Sequence, residues 1–152
     1  MLNRKLQYYL YKISIISKHP IEQFFMFLLS NYWGVNLGNR VKFLGFTKIL
    51  NMNKITIGDN TRIISGKRNL VGYWIKTCFE TGQNGNIIIG KNVGLSNCVL
   101  ISQSEINIGN DVYIGGGTCI YDNDFHSINR SERLNNPKII PTKKIKINNG
   151  VF

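Results

Sequence analysis

Ile57-Gly58-Asp59-Asn60-Thr61-Arg62 decides the fold, because the stretch returns along the chain. An aliphatic residue, glycine, two polar residues and a β-branched residue recur in Leu37-Gly38-Asn39-Arg40-Val41-Lys42 and in Ile89-Gly90-Lys91-Asn92-Val93-Gly94. They recur again in Ile108-Gly109-Asn110-Asp111-Val112-Tyr113, and more weakly in Ile147-Asn148-Asn149-Gly150-Val151-Phe152. Two residues before each copy stands another aliphatic: Val35, Ile55, Ile87, Ile106 and Ile145. This alternation puts two side chains on one face of a short strand. The glycine or small polar residue that follows lets the backbone turn a corner. Some copies continue in phase, Ile89 to Leu95 to Ile101 and Ile108 to Ile114 to Ile120, with small or β-branched residues such as Val99 and Thr118 at the fifth position. Three strands in such a phase make one triangular coil, and successive coils stack through parallel backbone hydrogen bonds around an aliphatic interior. An antiparallel sandwich would need hairpin turns of the Asn-Gly kind, not glycine held in phase. The expected fold is all-β, a parallel β-helix of hexapeptide repeats over residues 35–152.

The repeat is interrupted over residues 67–86, with Tyr73, Trp74 and Phe79, and over residues 122–144, a polar segment with two prolines. Insertions in a coil fold project as loops, and such loops carry function. Residues 1–34 read as a helical segment in two parts. Leu6, Leu10, Ile13 and Ser17 take three- and four-residue steps; Pro20 then opens a second helix over residues 21–31, which Gly34 ends. Repeat folds need capped ends, so this segment is expected to cap the core. The competing role is contact with a membrane surface through a basic, aromatic, amphipathic helix. The longest apolar run, residues 24–29, is too short to span a bilayer, and no secretory signal is evident.

The chain has 152 residues, 43% hydrophobic and 18% charged, which suits one globular domain rather than a disordered one. Its formal charge of +11 favours an anionic partner: a phosphorylated cofactor, a membrane surface or nucleic acid. The basic residues are scattered and form no nucleic-acid-binding motif, so nucleic acid is not expected. Cys78, Cys98 and Cys119 have neither disulfide nor zinc spacing and suit a reducing, cytoplasmic setting.

The chemistry-bearing residues gather at the second interruption, Tyr121-Asp122-Asn123-Asp124-Phe125-His126-Ser127. A histidine near neutral pKa can take a proton from a hydroxyl, and Asp122 or Asp124 could orient its ring. Residues 87–152 resemble the hexapeptide-repeat acetyltransferases of the maltose, galactoside and capsular-polysaccharide type. The resemblance rests on Leu95-Ser96-Asn97-Cys98-Val99, on the regular coil from Ile106 to Ile120, and on the acidic strand end leading to His126 and then Ser131-Glu132-Arg133. It implies a left-handed β-helix that carries an acetyl group from acetyl-coenzyme A to a sugar hydroxyl, with His126 as base. It also implies that Asn97 is a second catalytic residue, pointing outward from its hexad. Asp122, Asp124 and Arg133 are the matching candidates for substrate binding. A homotrimer with sites between subunits is implied, with no metal required, at work in bacterial surface polysaccharide synthesis. Relatives of this kind continue with further coils that form much of the coenzyme A cleft, so the chain reads as incomplete at its C-terminal end.

Other readings of the same fold are a sugar-nucleotide N-acetyltransferase and an inactive β-helix acting as an assembly module. Serine O-acetylation is disfavoured by the absence of a longer helical N-terminal domain. A γ-type carbonic anhydrase needs three zinc histidines, and the chain has only His19 and His126.

Overall fold

A computed structural model describes residues 3–70, 72, 74–127, 129–134 and 140–152, without the side chains of residues 4, 8 and 10–18. The chain opens with α1 (Arg4–Tyr32), whose N-cap Asn3 side chain accepts from the Lys5 N–H at 3.0 Å. This is one helix running through Pro20, not the two expected. Proline cannot donate a helix hydrogen bond and costs about 3 kcal/mol inside a helix, so tertiary contacts must offset it. They lie just beyond Pro20. Glu22 pairs with Arg68 at 2.8 Å, Gln23 bonds the backbone of Val41 and Phe43, and Met26 is buried in the core. The helix ends as expected near Gly34. That glycine adopts φ 63°, its N–H donates to the Asn31 carbonyl and the Val35 N–H to the Ser30 carbonyl. This paired closure satisfies carbonyls that the last turn leaves open.

Among the described residues, thirteen short strands follow in three parallel sheets. Sheet A holds β1 (Asn36–Leu37), β4 (Lys54–Ile57), β7 (Asn86–Ile89), β10 (Glu105–Ile108) and β13 (Ile145–Ile147). Sheet B holds β2 (Lys42–Leu44), β5 (Arg62–Ile64), β8 (Gly94–Ser96) and β11 (Tyr113–Ile114). Sheet C holds β3 (Lys48–Asn51), β6 (Cys78–Thr81), β9 (Val99–Ser102) and β12 (Cys119–Tyr121). The chain visits A, B and C in turn and returns one layer higher, which makes it a parallel β-helix. The expected phase is visible in sheet A. Ile55, Ile87, Ile106 and Ile145 are in register, as are Ile57, Ile89, Ile108 and Ile147. The first three of each set are fully or almost fully buried, each stabilising by roughly 1.5–3 kcal/mol.

The corner from sheet A to sheet B explains the hexad. Glycine is needed there for closeness rather than for an unusual φ. A Cβ on Gly58 would lie 2.5 Å from the Gly90 carbonyl oxygen, and one on Gly90 2.5 Å from that of Gly109. The left-handed turn falls two residues later, at Arg40, Asn60, Asn92 and Asp111, with φ of 56–57°, and at Gly150 in the last copy. Asparagine and aspartate tolerate this region better than most residues. Their side chains also form a ladder, Asn60 to Asn92 at 3.1 Å and Asn92 to Asp111 at 2.9 Å.

Two expectations change in sheet C. The first interruption is shorter than expected, because β6 lies within it and pairs with β3 and β9, burying Phe79. The phase also slips by one residue in the third coil. Leu100, not Ile101, is fully buried and stands in register with Ile120. The B-to-C corner at Asn97 is one residue shorter than the Gly115–Thr118 corner above it.

Candidate functional site

The loop of residues 122–144 leaves sheet C after β12 and returns to sheet A at β13. Its two legs are zipped together. Asn123 bridges Thr142 in antiparallel fashion, the Lys143 N–H donates to the Asp122 carbonyl at 2.8 Å, and the Asp124 N–H donates to the Pro141 carbonyl at 3.3 Å. At the turn, Phe125 takes φ 58°, an uncommon conformation for a bulky residue. It is held by its N–H donating to Asn123 Oδ1 at 2.9 Å and by its ring meeting Tyr121 edge-on, centroids 5.0 Å apart. The next residue is His126, with its N–H on the Asp124 carbonyl at 2.7 Å and its side chain exposed.

His126 Nδ1 lies 3.4 Å from the Ser127 carbonyl oxygen. Arg133 Nη1 donates to the same oxygen at 3.1 Å. The buried Ser127 hydroxyl donates to the Glu132 carboxylate and accepts from the Asn129 N–H. Glu132 and Arg133 belong to a short helix, α2 (Arg130–Leu134), with Asn129 Oδ1 accepting from the Ser131 N–H at its start. The segment after His126 is thus pinned by Ser127 and Glu132, to which the sequence alone assigned no role. Asn129 followed three residues later by Glu132 is a helix-start signal that was available.

The expected site residues are distributed differently. Asp122 does not orient the His126 ring. It is buried at the base of the loop, where its carboxylate accepts from the Ser102 hydroxyl at 2.7 Å and the Gln103 and Ser104 N–H groups at 2.7 and 2.8 Å. Burial pushes its pKa up, but these hydrogen bonds outweigh burial and hold it below the usual carboxylate range. Asp124 is exposed and lines a cavity of about 450 Å³ with Lys143 and Lys144. Asn97 does not point outward. It is fully buried at its corner with φ 43°, and its Nδ2 donates to the Gly66 carbonyl of the coil below at 3.0 Å. A left-handed corner between two packed coils turns this side chain in. Arg133 faces the loop backbone, where it steadies the carbonyl beside His126.

No family model, curated protein or solved structure matches this chain. The cysteines are free thiols. Burial pushes Cys98 up to about 12 and raises Cys78 as well, which disfavours their thiolate forms. Among the described residues, no helix is long and apolar enough to cross a membrane.

Proposed function

We propose that this chain is an acyltransferase that moves an acetyl group from acetyl-coenzyme A to a sugar hydroxyl, with His126 as the base. The observation that carries the reading is the pinned loop, which holds an exposed imidazole with Nδ1 toward the Ser127 carbonyl. A carbonyl only accepts, so this contact favours the tautomer with its proton on Nδ1 and a lone pair on Nε2. Nε2 would take the proton of the acceptor hydroxyl as that oxygen attacks the thioester carbonyl. When the tetrahedral intermediate collapses, the carbon–sulfur bond breaks and the imidazolium returns its proton to the departing thiolate.

Asp124, with Lys143 and Lys144 across the adjoining cavity, is our candidate contact for the acceptor. Asp122 and Arg133 act as positioning residues, through the loop base and the Ser127 carbonyl. The charge of +11 suits the phosphates of the donor. An exposed His126 needs a second surface to exclude water, which supports a homotrimer with each site closed by an adjoining copy. We place the reaction in the cytoplasm, at the inner face of the membrane, as a step in surface-polysaccharide synthesis.

Thiol release from acetyl-coenzyme A, measured with a panel of sugars that includes amino sugars, tests this. Sugar-dependent release that His126→Ala abolishes is the expected result. Release that survives in His126→Ala rules out this base, and product analysis separates O- from N-acetylation.

A further inference from the structure

Sheet B turns a charge conflict outward. Lys42 and Arg62 open neighbouring strands in register, and both are exposed. Like charges facing each other across strands destabilise a sheet. The other sheets avoid this at the first residue of their strands: Lys54 faces Asn86, and Lys48 faces Cys78 with Glu80 in reach at 3.5 Å. The chain's own acids leave the conflict standing. Of its eight Asp and Glu residues, Glu22, Asp59, Glu80 and Glu105 pair with Arg68, Lys91, Lys48 and Lys144. The other four, Asp111, Asp122, Asp124 and Glu132, lie at the corner after β10 or in the loop of residues 122–144. Among the described residues no ion pair reaches Lys42 or Arg62.

Both cations line a cavity of about 810 Å³, walled on one side by His19 and Pro20 of α1. No carboxylate of the described residues lines it. Two residues along each strand, Leu44 and Ile64 are the next side chains on the same outward face, again in register and half-buried. They line the cavity too, with the exposed Leu70. A strand advances about 3.3 Å per residue, so the apolar pair stands roughly 7 Å from the cations. The cavity thus has a paired positive end and an apolar end. Inorganic phosphate would satisfy only the first, and a neutral apolar molecule only the second.

We propose that this cavity binds a phosphate ester of an apolar alcohol, with its phosphate between Lys42 and Arg62 and its apolar part along Leu44, Ile64 and Leu70. The inference goes beyond the proposed acetyl transfer and does not depend on it. Calorimetry with n-octyl phosphate below its micelle concentration tests it. Octyl phosphate binds about tenfold more tightly than inorganic phosphate, and octanol gives no measurable heat. Lys42→Gln and Arg62→Gln each weaken binding about tenfold, yet melt no lower than the wild type, because they relieve the repulsion. Leu70→Ser, at an exposed position, narrows the gap between octyl and inorganic phosphate. Sugar-dependent thiol release stays unchanged in all three variants, so failure of one proposal leaves the other standing.

No binding of octyl phosphate, or equal binding to the wild type and both Gln variants, overturns the site. Equal affinity for inorganic and octyl phosphate overturns its apolar half. Coenzyme A that displaces octyl phosphate at a lower concentration than octyl phosphate itself requires also overturns the proposal, and gives the cavity to the acyl donor. Sedimentation with phosphatidylglycerol vesicles then identifies the source of the ester. Vesicle binding that octyl phosphate competes away places the ester in a bilayer. Binding of octyl phosphate without binding of vesicles makes it a dispersed ligand, and either result supports the site.

Discussion

The corner from sheet A to sheet B is built alike in successive coils, whereas the corners on either side of sheet C differ from coil to coil. At the first, glycines leave no room for a Cβ, and Asn60, Asn92 and Asp111 bond one to the next. At the B-to-C corner the chain inserts residues 65–77 between β5 and β6, and at the C-to-A corner residues 122–144 between β12 and β13. Interlocked backbone cannot admit an extra residue without parting two coils. Insertions therefore collect where the corner is loose, and the exposed histidine sits on one of them.

The strongest test of this division is His126→Ala. We expect a loss of about a thousandfold in the rate of sugar-dependent thiol release, with thermal melting unchanged, because the side chain is exposed. A lowered melting temperature would mean that the loose corner also carries stability. Gly90→Ala should do the opposite. It forces a methyl group against the Gly109 carbonyl and should destabilise the fold by about 3 kcal/mol in urea denaturation. An unchanged midpoint would break the interlock account.

Asp122→Ala probes the joint between the two regions. It strands two N–H groups and the Ser102 hydroxyl, at an expected cost of about 2 kcal/mol by denaturation near neutral pH. The wild-type contribution follows pH with a definite sign. The folded-state pKa is depressed, so the stabilisation is present above the unfolded value of about 3.9 and is lost as pH falls through the folded value. Urea midpoints from pH 5 to pH 2 should therefore fall less steeply in Asp122→Ala. A residual slope belongs to Asp59, whose pKa is also lowered, first by the Asn39 N–H and then by Lys91.

The smallest effect is expected at Asn92. Alanine there should be about 1 kcal/mol less stable than glycine, because the left-handed φ penalises a Cβ that has no ladder contact. Equal melting of the two variants would show that the ladder, not the backbone, sets the preference for asparagine.

The sequence was most legible where the physics is local. Aliphatic residues two apart, followed by glycine and an Asx residue, mark sheet A and the corner after it, and the structure has these strands in register. Sheet C was harder to read because its corners carry no fixed motif. Thr77-Cys78-Phe79 has no glycine to announce β6, and a corner one residue shorter moves the inward position from Ile101 to Leu100. The place of His126, on a loop after the last strand of a coil, was legible in the sequence. The role of Asp122 was not, since its donors come from residues 102–104, 18 to 20 positions earlier. Asn97 misled because one residue type suits both a reacting group and a left-handed corner.

The ladder along the regular corner also sets an order for assembly. With the flanking contacts from the Asn39 N–H to Asp59 and from the Asn110 N–H to Asn149, it joins successive coils across 20, 32, 19 and 39 positions. Closing a loop costs about 0.6 kcal/mol more for each doubling of its length. The first and second coils, and the third and fourth, therefore close at nearly the same low cost. The rung to β13 closes across the whole His126 loop and is the dearest to make. The return of the segment bearing the imidazole is thus moored to the fourth coil by the contact that spans the longest stretch of chain on this corner.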